Sequence, residues 1–227
     1  MFYRLLLPVC ALSLSTTTNA QEAPRQNNYG IGLHYGRPFG DHAKAHTGGF
    51  LGVSGYLAFP IVELPFDYGF GFAYDQLDYS SRPVTVRFPD FQTYKGELIA
   101  KNQAYGVLPF LRYRPLDGGA VMPYAEVFAG ARLFMTRSRI ELEYDRSMSE
   151  NYQKVDLASA YGVATGVMVH VGKQIYLHLR YERSWGGRAT QVDLDTIYAN
   201  SKQQVGFGTY TTNTGAWRVH VGVVGYF

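Results

Sequence analysis

The sequence predicts an all-β protein, an eight-stranded antiparallel up-and-down transmembrane β-barrel. Three observations point there. Apolar residues recur at every second position in eight segments of about ten residues, the length that crosses a bilayer at a steep tilt. The connections between those segments alternate between long and short. The chain is rich in aromatics and glycine, with 19 Tyr, 14 Phe and 25 Gly among 227 residues. After residue 20 no apolar run reaches the roughly 18 residues that a membrane helix needs.

Residues 1–20, "MFYRLLLPVCALSLSTTTNA", read as a cleaved signal peptide. Arg4 supplies the positive start, Leu5 to Leu14 the apolar stretch, and Thr18-Asn19-Ala20 the small-residue cleavage site. Cys10 as a lipidated cysteine is the rival reading, but Leu7-Pro8-Val9 is a poor context for it. Cys10 is also the only cysteine, so the exported chain must be stabilised without disulfides. Losing Arg4 reduces Lys plus Arg from 21 to 20 against 18 Asp plus Glu, a near balance that argues neither for nor against nucleic acid or an acidic partner; no nucleic-acid partner is expected. Residues 21–28 form a short N-terminal segment and 29–227 the barrel.

The strands follow in order. Tyr29, Ile31, Leu33 and Tyr35 alternate with Gly30, Gly32, His34 and Gly36, and Leu51, Val53, Leu57 and Phe59 continue the pattern. In "FDYGFGFAYD" Phe66, Tyr68, Phe70, Phe72 and Tyr74 oppose Asp67, Gly69, Gly71, Ala73 and Asp75. Tyr105, Val107, Leu111 and Tyr113 share a phase, as do Ala125 to Met135, Leu157 to Val171 and Ile175 to Tyr181. Trp217, Val219, Val221, Val223 and Phe227 form the last. The long polar connections are 37–49, 77–102, 136–156 and 186–216. The short ones, "PIVELP", "PLDGGAVMP" and "VGKQ", are tight turns. Long loops on one rim and short turns on the other are the pattern of an outer-membrane barrel.

The large apolar phase is assigned to lipid, because the opposite phase is small as well as polar and suits a cramped interior. Aromatics collect at two heights as interfacial girdles: Tyr29, Phe59, Phe66, Tyr113 and Phe227 at the turn rim, and Tyr35, Tyr74, Tyr105, Trp185 and Trp217 at the loop rim. The inward phase carries His34, Asp67, Asp75, Glu126, Arg132, His170, His178, Arg180, Glu182, Arg218 and His220. Buried charges must pair, so these are expected to form a network that fills the lumen, with a narrow porin-like channel for small solutes as the alternative. Loss of Arg132 is expected to strand a carboxylate.

With these features the chain resembles the small eight-stranded outer-membrane barrels, the OmpA-transmembrane-domain and OmpX-like group, over essentially all of 29–227. The most specific local motif is the terminal "HVGVVGYF", in which His220, Gly222, Val223, Gly225, Tyr226 and Phe227 look like the signal read by the barrel-assembly machinery. Gly225 departs from it, since an aromatic or aliphatic residue is usual there. The resemblance implies a monomer in the outer membrane of a Gram-negative bacterium, surrounded by lipid and lipopolysaccharide. No cofactor and no metal site are expected, the histidines lying on separate strands without His-x-His spacing. An outer-membrane lipid-modifying enzyme is a lesser alternative, since no histidine is followed two residues later by Ser.

Two readings of the long loops remain open, plain hairpins or a surface for an external protein ligand. "RPVTVRF" and "SRIELEYD" continue the alternation beyond the membrane, as do Val192, Leu194 and Phe207, and projecting strands leave edges for strand addition. Tyr144, Tyr152, Tyr198 and Tyr210 are expected near the loop tips.

Overall fold

The computed structural model describes residues 25–46, 48–87, 93–142, 151–199 and 205–227. The signal peptide, Tyr144 and the ends of "RPVTVRF" and "SRIELEYD" lie outside them. In chain order the elements are β1 (Asn28–Pro38), α1 (Asp41–Ala45), β2 (Phe50–Pro60), β3 (Phe66–Arg87), β4 (Thr93–Tyr113) and β5 (Val121–Leu142). They continue with β6 (Asn151–Gly172), β7 (Ile175–Gly186), β8 (Arg188–Ala199), β9 (Val205–Asn213) and β10 (Ala216–Tyr226). Eight of the ten strands close a barrel in the order β1-β10-β7-β6-β5-β4-β3-β2, while β8 and β9 form a separate two-stranded sheet. All barrel neighbours are antiparallel, and β10 closes onto β1 from Asn28↔Tyr226 to Pro38↔Ala216. Closure pairs backbone groups that would otherwise be stranded in lipid.

The barrel is inverted relative to a soluble one. Ile31, Leu33, Phe70, Phe72, Val127, Leu177 and Val221 are exposed on its outside, whereas Arg112, Glu126, Arg132, Glu182 and Arg218 are buried inside. The outward aromatics pair within their own rims. Tyr29 meets Phe227, Phe59 meets Tyr68 and Phe66 meets Tyr113 at the turn rim; Tyr35 meets Trp217, Tyr74 meets Tyr105 and Tyr161 meets Trp185 at the loop rim.

Inside, bulk and absence of bulk are matched across strands. Phe110 faces Gly69, Phe128 faces Gly162, Tyr124 faces Gly166 and Tyr56 faces Gly30 in the pairing register. A Cβ on Gly69 would lie 2.6 Å from the Phe110 ring, and one on Gly162 2.5 Å from Phe128. The inward glycines leave the space that the aromatics fill.

The long connections are largely strand. β3 to β6 run for 22, 21, 22 and 22 residues, about twice the length that spans a bilayer, so half the barrel wall projects beyond the loop rim. The fourth connection corrects the sequence expectation. Val192 and Leu194 do not prolong barrel strands; their strand folds back as the β8–β9 hairpin against the inner face of the projecting wall. There Val192, Leu194 and Ile197 pack with Leu98, Ala100, Ile140 and Leu142, a small buried core outside the membrane. Period-2 alternation marks a strand with one buried face but not which surface buries it.

Candidate functional site

From the loop end inward, the lumen opens beneath an apolar layer formed by Phe50, Leu77, Ala104, Phe134, Ala158, Ala189 and Ala216. Below it lies a continuous charge network. Asp75 is held by His34 at 2.6 Å, Arg218 at 2.9 Å and Arg132 at 3.3 Å. Glu182 receives Arg180 at 2.7 Å, Arg218 at 3.0 Å and Arg132 at 3.2 Å, with His220 at 3.5 Å. Glu126 receives Arg180 at 2.7 Å and Arg112 through two nitrogens, at 2.9 and 3.0 Å. Ser54 and Arg180 flank His220 at 3.1 and 3.2 Å. Register explains the convergence: Glu182 faces Arg218 and Glu126 faces Arg112 across neighbouring strands.

Toward the turn end, Tyr124 and His178 lie 2.5 Å apart above a cluster of Met122, Met168, Tyr176 and Val224. Asp67 does not join the main network. It pairs with Arg114 at 3.2 Å and Arg25 at 3.8 Å, and Asp117 closes that lower group. His170 is a second correction. It keeps the inward phase, opposite Tyr176 and with its ring 4.9 Å from that of Tyr176, but it lies at the open turn end of the lumen, where it is exposed and hydrogen-bonds the Lys173 carbonyl instead of joining the charge network. Arg112 and Arg114 were missed, although their phase opposite Leu111 and Tyr113 was the available signal.

The terminal motif is split between the two faces. His220 and Tyr226 point inward, the Tyr226 hydroxyl accepting a bond from Arg114 at 2.7 Å, while Phe227 packs outside on Tyr29. Val223 faces Ile31, and Gly222 lies against the β1 backbone at Gly32. Gly225 faces Tyr29 across the seam, where a Cβ would meet the tyrosine ring at 2.7 Å. Tyr29 thus occupies the outer surface that a larger residue at 225 would cover.

Outside the membrane, the first loop and the hairpin are fastened together. His42 and His46 are buried with their rings 5.0 Å apart, His42 contacting the Gly215 carbonyl at 3.2 Å and His46 contacting Gln191 at 3.1 Å as well as the Tyr210 hydroxyl. Tyr210 is therefore part of this contact and not a free tip, whereas Tyr152 and Tyr198 are exposed. Burial lowers the pKa of both rings, that of His42 to about 4. Among the described residues no three His, Cys, Asp or Glu side chains converge as a metal-binding group would.

An apolar exterior, two aromatic rims and a charged, packed interior on a closed eight-stranded barrel define the class of small membrane-spanning β-barrels. No protein-family model and no curated protein matches the chain. Solved structures do. Neisserial surface protein A is similar at 14% identity and a TM-score of 0.47, over 91% of this chain and all (100%) of that one. Ail, the attachment invasion locus protein of Yersinia pestis, crystallised with the heparin analogue sucrose octasulfate, is similar at 12% identity and a TM-score of 0.44, over 88% and 97%. A major outer membrane protein from Thermus thermophilus is similar at 10% identity and a TM-score of 0.49, over 89% and 100%.

Proposed function

We propose that this protein is a monomeric barrel of a Gram-negative outer membrane, exported through a cleaved signal at 1–20. It sits among lipid and lipopolysaccharide, and its terminal residues serve the assembly machinery. Its role is to bind an external protein in extended conformation, without catalysis and without conducting solutes.

One observation carries the binding reading. β3 pairs with β2 only as far as Leu51↔Gln76, yet continues to Arg87 beside β4. Among the described residues no strand covers its other edge from Leu77 to Arg87. The opposite edge of the wall, at β6, is covered instead: the hairpin bonds it through Gly187 to Ser159 and Thr190 to Asp156. An open strand edge offers unpaired N–H and C=O groups to an extended peptide. Pro83 fits an edge strand, which lacks a second ladder to satisfy. An open groove along Leu51, Val53, Tyr74, Gln76 and Tyr79 lies at the foot of this edge.

The test introduces prolines at those positions of 79–87 whose N–H faces away from β4. Such variants should keep the heat-modifiable gel shift of a folded barrel and lose whatever surface phenotype the unmodified protein confers on a cell expressing it, with adhesion and serum resistance as the two assays. If they keep the phenotype while Glu126→Ala destroys it, the role is transport through the barrel.

A further inference from the structure

The lumen network carries one more positive charge than its carboxylates neutralise. Among the described residues, the barrel interior and its turn-end mouth, where Arg25 and the exposed turn residue Asp117 lie, hold the guanidiniums of Arg25, Arg112, Arg114, Arg132, Arg180 and Arg218. Against them stand the carboxylates of Asp67, Asp75, Asp117, Glu126 and Glu182. Protonation of a lumen histidine could only enlarge the excess. The lower group balances itself, Arg25 and Arg114 against Asp67 and Asp117. The surplus therefore belongs to the upper network, where Arg112, Arg132, Arg180 and Arg218 share Asp75, Glu126 and Glu182.

It is concentrated at the Arg112 end. Asp75 and Glu182 are each shared by two or three cations, but Arg112 reaches only Glu126, which it shares with Arg180. Asp67 is its cross-strand neighbour but is turned to Arg114. Arg112 is 1% exposed; its guanidinium and the Tyr56 hydroxyl interact with each other, and beyond that pair neither the Arg112 Nη1 nor the hydroxyl finds a hydrogen-bond partner among the described protein atoms. The guanidinium is sandwiched at 4.4 and 4.5 Å by the Tyr56 and Tyr124 rings, which fix its plane. Both groups border a cavity of about 40 Å³ beside Ser54, His178 and His220, in whose wall Arg180 and Arg218 offset the carboxylates of Glu126 and Glu182 and glycines leave space.

A surplus guanidinium charge with donor capacity left over, enclosed in a barrel surrounded by lipid, is costly unless an anion completes it. We infer that this cavity binds a small monovalent anion of halide size, chloride under physiological conditions, held by Arg112 Nη1 and the Tyr56 hydroxyl. The volume holds a halide, and a surplus of one charge suits a monovalent anion over sulfate or a phosphate ester, which would leave an unpaired negative charge buried in its turn.

The experiment refolds the full mature chain from urea into detergent in sodium bromide, chloride, sulfate or gluconate at matched ionic strength. It then measures thermal unfolding and collects bromide anomalous diffraction. The melting temperature should rise saturably with bromide and chloride but not with the two larger anions, and an anomalous peak should lie beside Arg112. Tyr56→Phe keeps the ring that stacks on Arg112 and removes only the donor. It should raise the bromide concentration for half-saturation about tenfold, the equivalent of one lost hydrogen bond to a charge. Equal melting in all four salts with no peak at the site, water alone filling it, overturns the inference. So does a Tyr56→Phe variant with unchanged bromide dependence.

Discussion

Arg112 and Arg132 are both fully buried guanidiniums, yet their losses should be felt differently. Arg132 shares both of its carboxylates with Arg218: Asp75 and Glu182 each contact the two arginines. The sequence alone suggested that removing Arg132 would strand a carboxylate, but register places a second arginine on the same pair. Arg132→Ala and Arg218→Ala should each cost about 1–3 kcal/mol, the scale of one charged hydrogen-bonding partner. The double variant should cost more than their sum, because only then do the two carboxylates lose both arginines. Glu126 has no such understudy, since it is the one carboxylate of Arg112 and also binds Arg180. Glu126→Gln should therefore cost on the order of 3–5 kcal/mol. Urea unfolding in detergent micelles measures all four variants. A single Arg132→Ala as damaging as the double variant would refute this account of shared partners.

Among the elements, the contact between α1 and the β8–β9 hairpin has the clearest pH dependence. Its two rings are buried and neutral, with Asp75, Arg132 and the partner ring acting on His42, and Gln191, Asp78 and Asp193 acting on His46. The folded pKa of His42 is about 4 against an ordinary 6.5. Since the depressed value belongs to the folded state, the contact is at full strength above the ordinary value. It weakens as pH falls from 6.5 toward 4, by about 1.4 kcal/mol per pH unit for that ring, and no further below. Hydrogen exchange should show α1 and β8–β9 opening at pH 4.5 while the membrane-spanning parts of β1, β7 and β10 stay protected. A His42→Gln, His46→Gln double variant should flatten that profile. If wild type and variant open with the same pH dependence, the histidines are not the cause. None of this contact was legible in the sequence: His42 and His46 lie in a stretch without periodicity, and their partners Gln191, Tyr210 and Gly215 are more than 140 residues away.

For the whole molecule, what could be read beforehand was what repeats. Lipid-facing positions such as Ile31, Phe70 and Val221 obey a period of two because one solvent bathes the entire exterior, and the girdles follow because both rims have fixed heights. Charge pairing was not readable, because it depends on strand register and tilt, which place Arg218 beside Asp75 from strands 143 residues apart. The hairpin core was equally hidden, since Leu98, Ile140 and Val192 announce an apolar face without naming its partner. Those two unreadable features bear on conduction. A solute travelling down the lumen meets the β8–β9 hairpin, then the layer containing Phe50 and Phe134, then the arginine–carboxylate network, then the layer of Met122, Met168 and Tyr176. Each is closed by side chains held through packing or by at least two charged contacts, and eight strands enclose only enough width for side chains to fill. Opening a path would require breaking several buried ion pairs at once, at several kcal/mol each. In planar bilayers the refolded protein should therefore insert, show the heat-modifiable gel shift of a closed barrel, and give no stable ohmic conductance. A large, steady conductance from the unmodified protein would make it a narrow channel, and the charge network its selectivity device.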